Sequence, residues 1–548
     1  MNYLTSLEDH LPLLLVLSPA IGCLLTSLVH RSAGGLVRSL TITQTICSLL
    51  LLGGIAWRFE TELTTEARAR ISPATDIPAT TDVTAARAAV NRQVDKQRAE
   101  RLSHQWLVVD GTNLWPLLIL IVLTGLVSWQ ADTVTGSPFG FLAIVQLFEA
   151  ASLTALMAYD LRVYLIAFGI GVMAMGVLLG QWGGPDRRNA TSRFLLTQFC
   201  GSSCLMLGFA MLVVAVPWMK IEDAPQPPTL FWNITTIVFE IQKWTTGNSL
   251  AFQYENEVFP WMIFILSLGF AIQFGLFPFH SSLIGVLSDA PRSVAVLLLA
   301  GLVSASGLGW LRFVVPLAPE LLVGFERLIL IPALGSAVWG AIRAVNPDEP
   351  RRQAAYLFLS LSGVALVGYD TFSRIGMSGG WLMLQQLTVS FILALFVFDA
   401  KDAERSSGLL PTTARPESYS TRTLLLLLCL PLLGFFASEF LIFSELFPDR
   451  LLVLAGVLFA DAVVLLTILS LFNRRLAAAP RGPSTAASSK RFPTSAMVLL
   501  ALAVIVNLAP NLMLHQCEPE FARVFRRFER VPAVDSAEPD SPERQTLP

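Results

Sequence analysis

The stretch LGFAIQFGLFPFHSSLIGVLSDAP, Leu268 to Pro291, starts as an apolar helix and then breaks its own pattern. Pro278, His280, Ser281, Ser282, Asp289 and Pro291 interrupt the run. A proline inside a helix removes one hydrogen-bond donor and clashes with the preceding turn. In lipid, the carbonyls this frees need another helix or water in a protein-lined cavity. Pro278 therefore predicts a broken helix within a membrane bundle. His280, two residues on, is of a type that titrates near neutral pH; capping the broken helix is an equally good reading of it. LCLPLLGFFASEFLIF repeats the device, with Pro431 followed eight residues later by Glu439. Two proline-interrupted spans at corresponding places point to an internally repeated transporter architecture, with two ordinary kinks as the alternative.

The composition agrees. Of 548 residues, 54% are hydrophobic and 14% charged, and the mean hydropathy is +0.61. A soluble protein carries about 25% charged residues. Apolar runs of about 20 residues are long enough to cross a bilayer as helices and too long for barrel strands. The predicted fold class is therefore all-α polytopic membrane protein. A net charge of −2 argues against nucleic acid as a partner. The six cysteines (Cys23, Cys47, Cys200, Cys204, Cys429 and Cys517) have no metal-ligand spacing and read as small apolar thiols.

About fourteen spans are predicted, centred near Pro19, Cys47, Val122, Phe148, Gly171, Leu205, Leu266, Leu302, Pro332, Leu361, Val389, Pro431, Val463 and Val504. The first lacks a basic leader and a small-residue cleavage site, and is expected to stay in the protein. Three regions read as non-membrane: Arg58 to Gln105, with a solvated helix in its second half; Lys220 to Glu257, in which FWNITTIVFEIQKW follows the interface; and a tail expected to be disordered. The chain thus divides into two N-terminal spans (1–57), an extracytoplasmic insertion (58–113), a first half (114–313), a second half (314–476), a loop with the last span (477–514) and the tail (515–548). Short odd-numbered loops hold about eighteen Lys and Arg against about seven in the even ones, which puts the odd loops in the cytoplasm and both termini outside.

FAIQFGLFPFHSSL followed by DAPRSVAVLLLAGLVSASGLGWLRF resembles the seventh and eighth spans of the antiporter-like subunits of respiratory complex I, subunit M of the bacterial enzyme above all. Further pieces fall in the same order: VDGTNL at Val109 to Leu114, Glu149 with Asp160, WGG at Trp182 to Gly184, AAY at Ala354 to Tyr356, and SEF at Ser438 to Phe440. The resemblance covers roughly residues 107 to 476. It implies two inverted five-helix repeats with broken helices. It also implies a multi-pass subunit of an NADH-quinone oxidoreductase in a bacterial inner membrane, contributing to proton translocation coupled to electron transport. Neighbouring membrane subunits are the implied partners. Flavin and iron–sulfur clusters belong to partner subunits, since this chain carries no dinucleotide, flavin or cluster motif.

The same resemblance exposes a loss. The family's proton path uses a glutamate in the fifth span and lysines in the seventh and eighth; Gly169, Gln273 and Ser304 stand there. In the second half, Leu361 and Gln386 replace two histidines and Ser390 a lysine, while Glu439 remains. Gln and Ser order water but hold no net charge, and a glutamate–lysine pair that shifts pKa values cannot form. Standard pumping is expected to be impaired or absent. Five residues remain as proton-path candidates. Glu149 is a half-channel or subunit-contact acid, or a structural hydrogen bond. Arg193 neutralises acids near a helix end or anchors at the boundary. His280 and Glu439 flank the two breaks. Asp461, without a family counterpart, is a compensating titratable site or faces the interface. No catalytic, cofactor or metal residue is predicted. Two rival readings remain: a subunit of a multi-subunit cation/proton antiporter or inorganic-carbon uptake system, and a non-transporting assembly scaffold.

Overall fold

The computed structural model describes residues 10–29, 34–71, 102, 105–131, 138–183, 187–218, 232–245, 258–317, 327–345, 349–406, 434–447, 450–477 and 494–528. Among them the chain is an all-α polytopic bundle, and the only extended pairings are isolated bridges, Leu107 to Ala158 and Asp160 to Asn233. The helices are α1 (Leu11–Leu28), α2 (Gly34–Ile71), α3 (Leu114–Trp129), α4 (Pro138–Met157), α5 (Leu161–Trp182), α6 (Arg187–Trp218), α7 (Ile234–Thr245), α8 (Val258–Phe274) and α9 (Ser281–Asp289). They continue as α10 (Arg292–Leu317), α11 (Arg327–Ala344), α12 (Pro350–Asp370) and α13 (Arg374–Ser406). A helix over 434–447 is α14; α15 (Leu451–Ala477), α16 (Thr494–Leu508) and α17 (Pro510–Phe528) complete the set.

Eight of these helices are long and apolar enough to cross a membrane, nine if the bent pair α16–α17 is one span, and α3, α8 and α11 contain shorter apolar helices. Every expected span centre except Pro431 falls within a helix; Pro431 lies outside the described residues. The solvated helix expected in the second half of the insertion also lies outside them.

The break in the opening stretch is real, and glycine makes it. Gly275 takes φ +83°. The Gly275 amide donates to Ile272 O at 3.1 Å and the Leu276 amide to Ala271 O at 3.0 Å, which is a Schellman close. Pro278 then prevents an immediate restart, and α9 begins only at Ser281. The freed Phe277 amide donates to Ser336 Oγ at 2.8 Å on α11, so a neighbouring helix satisfies the break.

Small residues set the closest helix pair. Ala333, Ala337, Ala341 and Ala344 are fully buried along one stripe of α11. Facing them on α12, a side chain at Gly363 would run into the Ala333 carbonyl and the Ala337 backbone. Close backbone approach of this kind drives association where lipid offers no hydrophobic gain. Helix α10 changes register twice, with π-helical segments at Leu299–Val303 and Trp310–Val314.

Two boundaries differ from expectation. Helix α2 continues to Ile71, past the border expected at residue 58. The tail expected to be disordered from residue 515 is helical to Phe528. Along α17, Met513, Cys517 and Phe521 recur at a four-residue spacing and are buried, which is the stripe a packed amphipathic helix needs. That helix leaves α16 at 61°. Helix α7, within the segment read as interfacial, buries Ile234, Ile237, Val238 and Ile241 with the same helical period.

Candidate functional site

The strongest polar contacts form a knot at one end of the bundle. Asp110 Oδ1 accepts from the Thr112 amide at 2.9 Å, the Thr112 hydroxyl at 2.6 Å and the Asn113 amide at 2.9 Å. Its Oδ2 accepts from Tyr159 Oη at 2.6 Å and Arg312 Nη2 at 3.0 Å. Arg312 Nη1 donates to Leu156 O at 2.7 Å and Ala158 O at 3.1 Å. Its guanidinium also stands 4.6 Å from the Tyr159 ring centre. Trp381 Nε1 on α13 donates to Thr112 O at 2.9 Å. Burial, and then the Asp110 carboxylate, push the Tyr159 phenol well above its usual range. This satisfied charge pair ties the segment before α3, the α4–α5 turn, α10 and α13 together. The VDGTNL segment is therefore structural here. Sequence reasoning passed over Arg312, although a guanidinium inside an apolar run is itself a signal.

Asp160 is structural too. It caps α5, accepting from the Arg162 amide at 2.9 Å and from Arg162 Nη2 at 2.7 Å.

Glu149 is a different case. It is 1% exposed on α4, and Gln44 Nε2 of α2 donates to its Oε1 across a long 3.5 Å contact. Gln44 Nε2 also donates to Ser48 Oγ at 3.0 Å, and Ser48 Oγ pairs with Ser18 Oγ at 2.6 Å. One turn back on α4, Gln146 Oε1 accepts from Thr26 Oγ1 at 3.2 Å. The sequence reading found Glu149 and missed Gln44, Ser48, Ser18 and Gln146; the Gln44–Ser48 spacing of four within an apolar span was the available signal.

Where the resemblance leads to an expectation of charged groups, Gln273, Ser304, Gln386 and Ser390 are polar and neutral. Gln273 is 2% exposed; its Nε2 donates to Ser202 Oγ at 3.2 Å, and its backbone carbonyl accepts from Gln198 Nε2 at 3.1 Å. Ser304 turns back on Leu299 O at 2.9 Å. A side chain added at Gly169 would meet open space. In the second half, Gln386 Oε1 accepts from Ser438 Oγ at 2.9 Å and its Nε2 donates to Gly434 O at 3.1 Å. Asn507 Nδ2 reaches Ser390 Oγ at 3.4 Å. The chain's lysines are Lys96, Lys220, Lys243, Lys401 and Lys490, so none lies between 244 and 400 whatever the alignment register.

The remaining candidates separate. Glu439 on α14 and Asp461 on α15 come together: Asp461 interacts electrostatically with Glu439, and both Asp461 carboxylate oxygens are shielded without a hydrogen-bond partner among the described residues. His280 is half-buried just before α9; its Nε2 accepts from Trp339 Nε1 at 3.2 Å, and its ring stacks on Phe277. Arg193 is exposed on α6, where its backbone carbonyl accepts from Thr197 Oγ1 at 2.8 Å. Among the described residues, no group of His, Cys, Asp and Glu has the arrangement of a metal site.

Residues 158–465 match the transmembrane family described as NADH:quinone oxidoreductase/Mrp antiporter. NAD(P)H-quinone oxidoreductase chain 4 3 of a Picosynechococcus species is 26% identical over 298 residues, 54% of this chain and 50% of the relative. The match thus spans only half the length of that relative. Chain 4 1 of the same organism is 26% identical over 435 residues, 75% of this chain and 77% of the relative. The fold is shared with a chain of respiratory complex I from Thermus thermophilus, at TM-score 0.67 and 20% identity over 94% of this chain and 99% of that one. It is also shared with a chain of the Mrp complex from Dietzia, at TM-score 0.64 and 14% identity over 95% and 98%.

Proposed function

Because the chain belongs to the NADH:quinone oxidoreductase/Mrp antiporter transmembrane family, we propose that it is a membrane subunit of an NADH-quinone oxidoreductase of the complex I type. It sits in a bacterial inner membrane with both termini outside, beside other antiporter-like subunits. Redox chemistry resides in partner subunits that hold flavin and iron–sulfur clusters. This chain contributes to proton translocation through carboxylates rather than through a lysine relay.

The observation carrying this reading is the contrast inside the bundle. The helix break at Gly275 and Pro278 is kept and satisfied by Ser336, while the residues around it are glutamine and serine. Buried charges are costly in lipid, about 2.5–3.5 kcal/mol each on insertion scales. Glu149, Glu439 and Asp461 therefore stand out as the groups that hold and release protons, and His280 as the imidazole at the break. Purification of the tagged chain with its partners, followed by proton uptake into proteoliposomes, tests the reading. Redox subunits are expected to co-purify, and uptake is expected to fall in Glu439→Gln and Asp461→Asn. Uptake unchanged in both variants overturns the assignment of Glu439 and Asp461; uptake unchanged in Glu149→Gln as well leaves an assembly scaffold.

A cation/proton antiporter subunit is the second reading. The electrostatic interaction of Asp461 with Glu439, with neither Asp461 oxygen hydrogen-bonded among the described residues, favours it. Sodium-dependent proton release, with no redox subunit co-purifying, would select it.

A further inference from the structure

We propose that the two N-terminal helices form a hydrated proton site with α4, in which Glu149 takes the proton, Gln44 is the amide arm that positions it and Gln146 holds the water that delivers it. The inference rests on the transport reading above and extends it to helices outside the region that matches the family.

The seam runs between α1, α2 and α4. Gln44 Nε2 divides its donors between Glu149 Oε1 at 3.5 Å and Ser48 Oγ at 3.0 Å, and the Ser48–Ser18 hydroxyl pair at 2.6 Å continues the line. On the other side of Glu149 lie Gln146 and Thr26, joined at 3.2 Å. Ser18 and Thr26 are eight residues apart on α1, about 12 Å along the axis. Polar atoms therefore line a sizeable part of the membrane depth on both sides of the carboxyl group.

A second observation points to a guest. Gln146 is 1% exposed, and its Nε2 has no partner. A buried amide nitrogen left this way implies an acceptor that fits a small polar space, and water is the ordinary one. Gly22 of α1 makes the room, since a side-chain carbon there would come within 2.9 Å of Gln146 Nε2. Water at Gln146 supplies the mobile link that an amide cannot. A proton arriving there as hydronium passes to the Glu149 carboxylate and leaves neutral water behind. The reverse step returns it.

Charges on the packed helices do not compete. Cys23 on α1; Arg38, Cys47, Arg58, Glu60 and Glu62 on α2; Arg162 and Tyr164 on α5; and Arg292 and Arg312 on α10 are the titratable or charged groups described on the packed helices. None acts electrostatically on Glu149, whose polar neighbours are Gln44 and Thr124.

Dicyclohexylcarbodiimide modifies protonated carboxyl groups within apolar surroundings. The purified complex is labelled across a pH series, and modification of Glu149 is read by peptide mass spectrometry. Losing the Gln44 donor, or the water held at Gln146, favours the protonated form of Glu149. Gln44→Leu and Gln146→Leu are each expected to move the labelling midpoint up by about one pH unit, a tenfold shift in proton affinity. The exposed Ser39→Ala on α2 is expected to leave it in place. If Gln44→Leu does not assemble, Gln44→Met, which removes the same amide from a side chain of closer shape, is expected to move the midpoint in the same direction. Midpoints identical to the parent in an assembled Gln44 variant and in Gln146→Leu overturn the seam. A parent that takes up no protons, with midpoints still shifted, counts against the transport reading and supports the seam.

Discussion

Arg312 and Asp110, 202 residues apart in the chain, meet at 3.0 Å with side-chain exposures of 7% and 3%. Removing one partner of such a pair strands a charge, which costs about 3–5 kcal/mol, whereas removing both is far milder. Arg312→Met and Asp110→Asn are each expected to lower the thermal midpoint of the detergent-solubilised chain sharply. The double variant is expected to recover much of the loss. Thermal unfolding in detergent reads this, and a double variant no more stable than the worse single one contradicts it.

Gly275→Ala is expected to destabilise. Its φ of +83° disfavours any side chain, and an added carbon would stand 2.8 Å from Leu283 Cβ. Strained backbone of this kind costs about 1–3 kcal/mol. Proton uptake should fall along with stability, because the break carries both. A neutral effect on melting would show that the break tolerates an ordinary residue.

Restoring charge is the direct probe of the vacated path. Gln273→Lys alone places an unpaired ammonium in a buried site and should reduce yield, at a cost of about 2.5–3.5 kcal/mol. Gly169→Glu should be tolerated sterically, since the added side chain enters open space. If the ancestral geometry survives, the double variant assembles better than Gln273→Lys and takes up protons faster than the parent. Yield no better than that of Gln273→Lys would mean the two positions no longer face each other.

The C-terminal helix α17 is packed against the Asp110 turn. A side chain at Gly111 would strike the Gln516 carbonyl, and Glu518 pairs with Arg374. Gly111→Val is therefore expected to undock α17. Maleimide labelling of Cys517, which is fully buried, should rise several-fold. Unchanged protection of Cys517 would show that the helix is held from elsewhere.

Hydropathy and a few helix breakers were enough to place a helix at thirteen of the fourteen expected span centres. Apolar runs leave lipid-embedded chain few options besides helix, and that constraint is local. The absence of lysine between residues 244 and 400 is also a fact of the sequence. Pro278 marked the break, although Gly275 makes it, since the positive φ that ends α8 depends on a residue three positions earlier. Amphipathic spacing at Met513, Cys517 and Phe521 was equally legible, yet the acidic composition after it suggested disorder.

What only the tertiary structure decided is which polar groups meet. Gln44 finds Glu149 across 105 residues, Glu439 finds Asp461 from the neighbouring helix, and Arg312 closes on Asp110. Arg193, by contrast, stays exposed. A helix that is apolar on nearly every face carries little record of how it is rotated. Rotation is settled by small residues such as Gly363 against Ala337 and by the need to satisfy each buried polar atom, and both act between segments far apart in the chain.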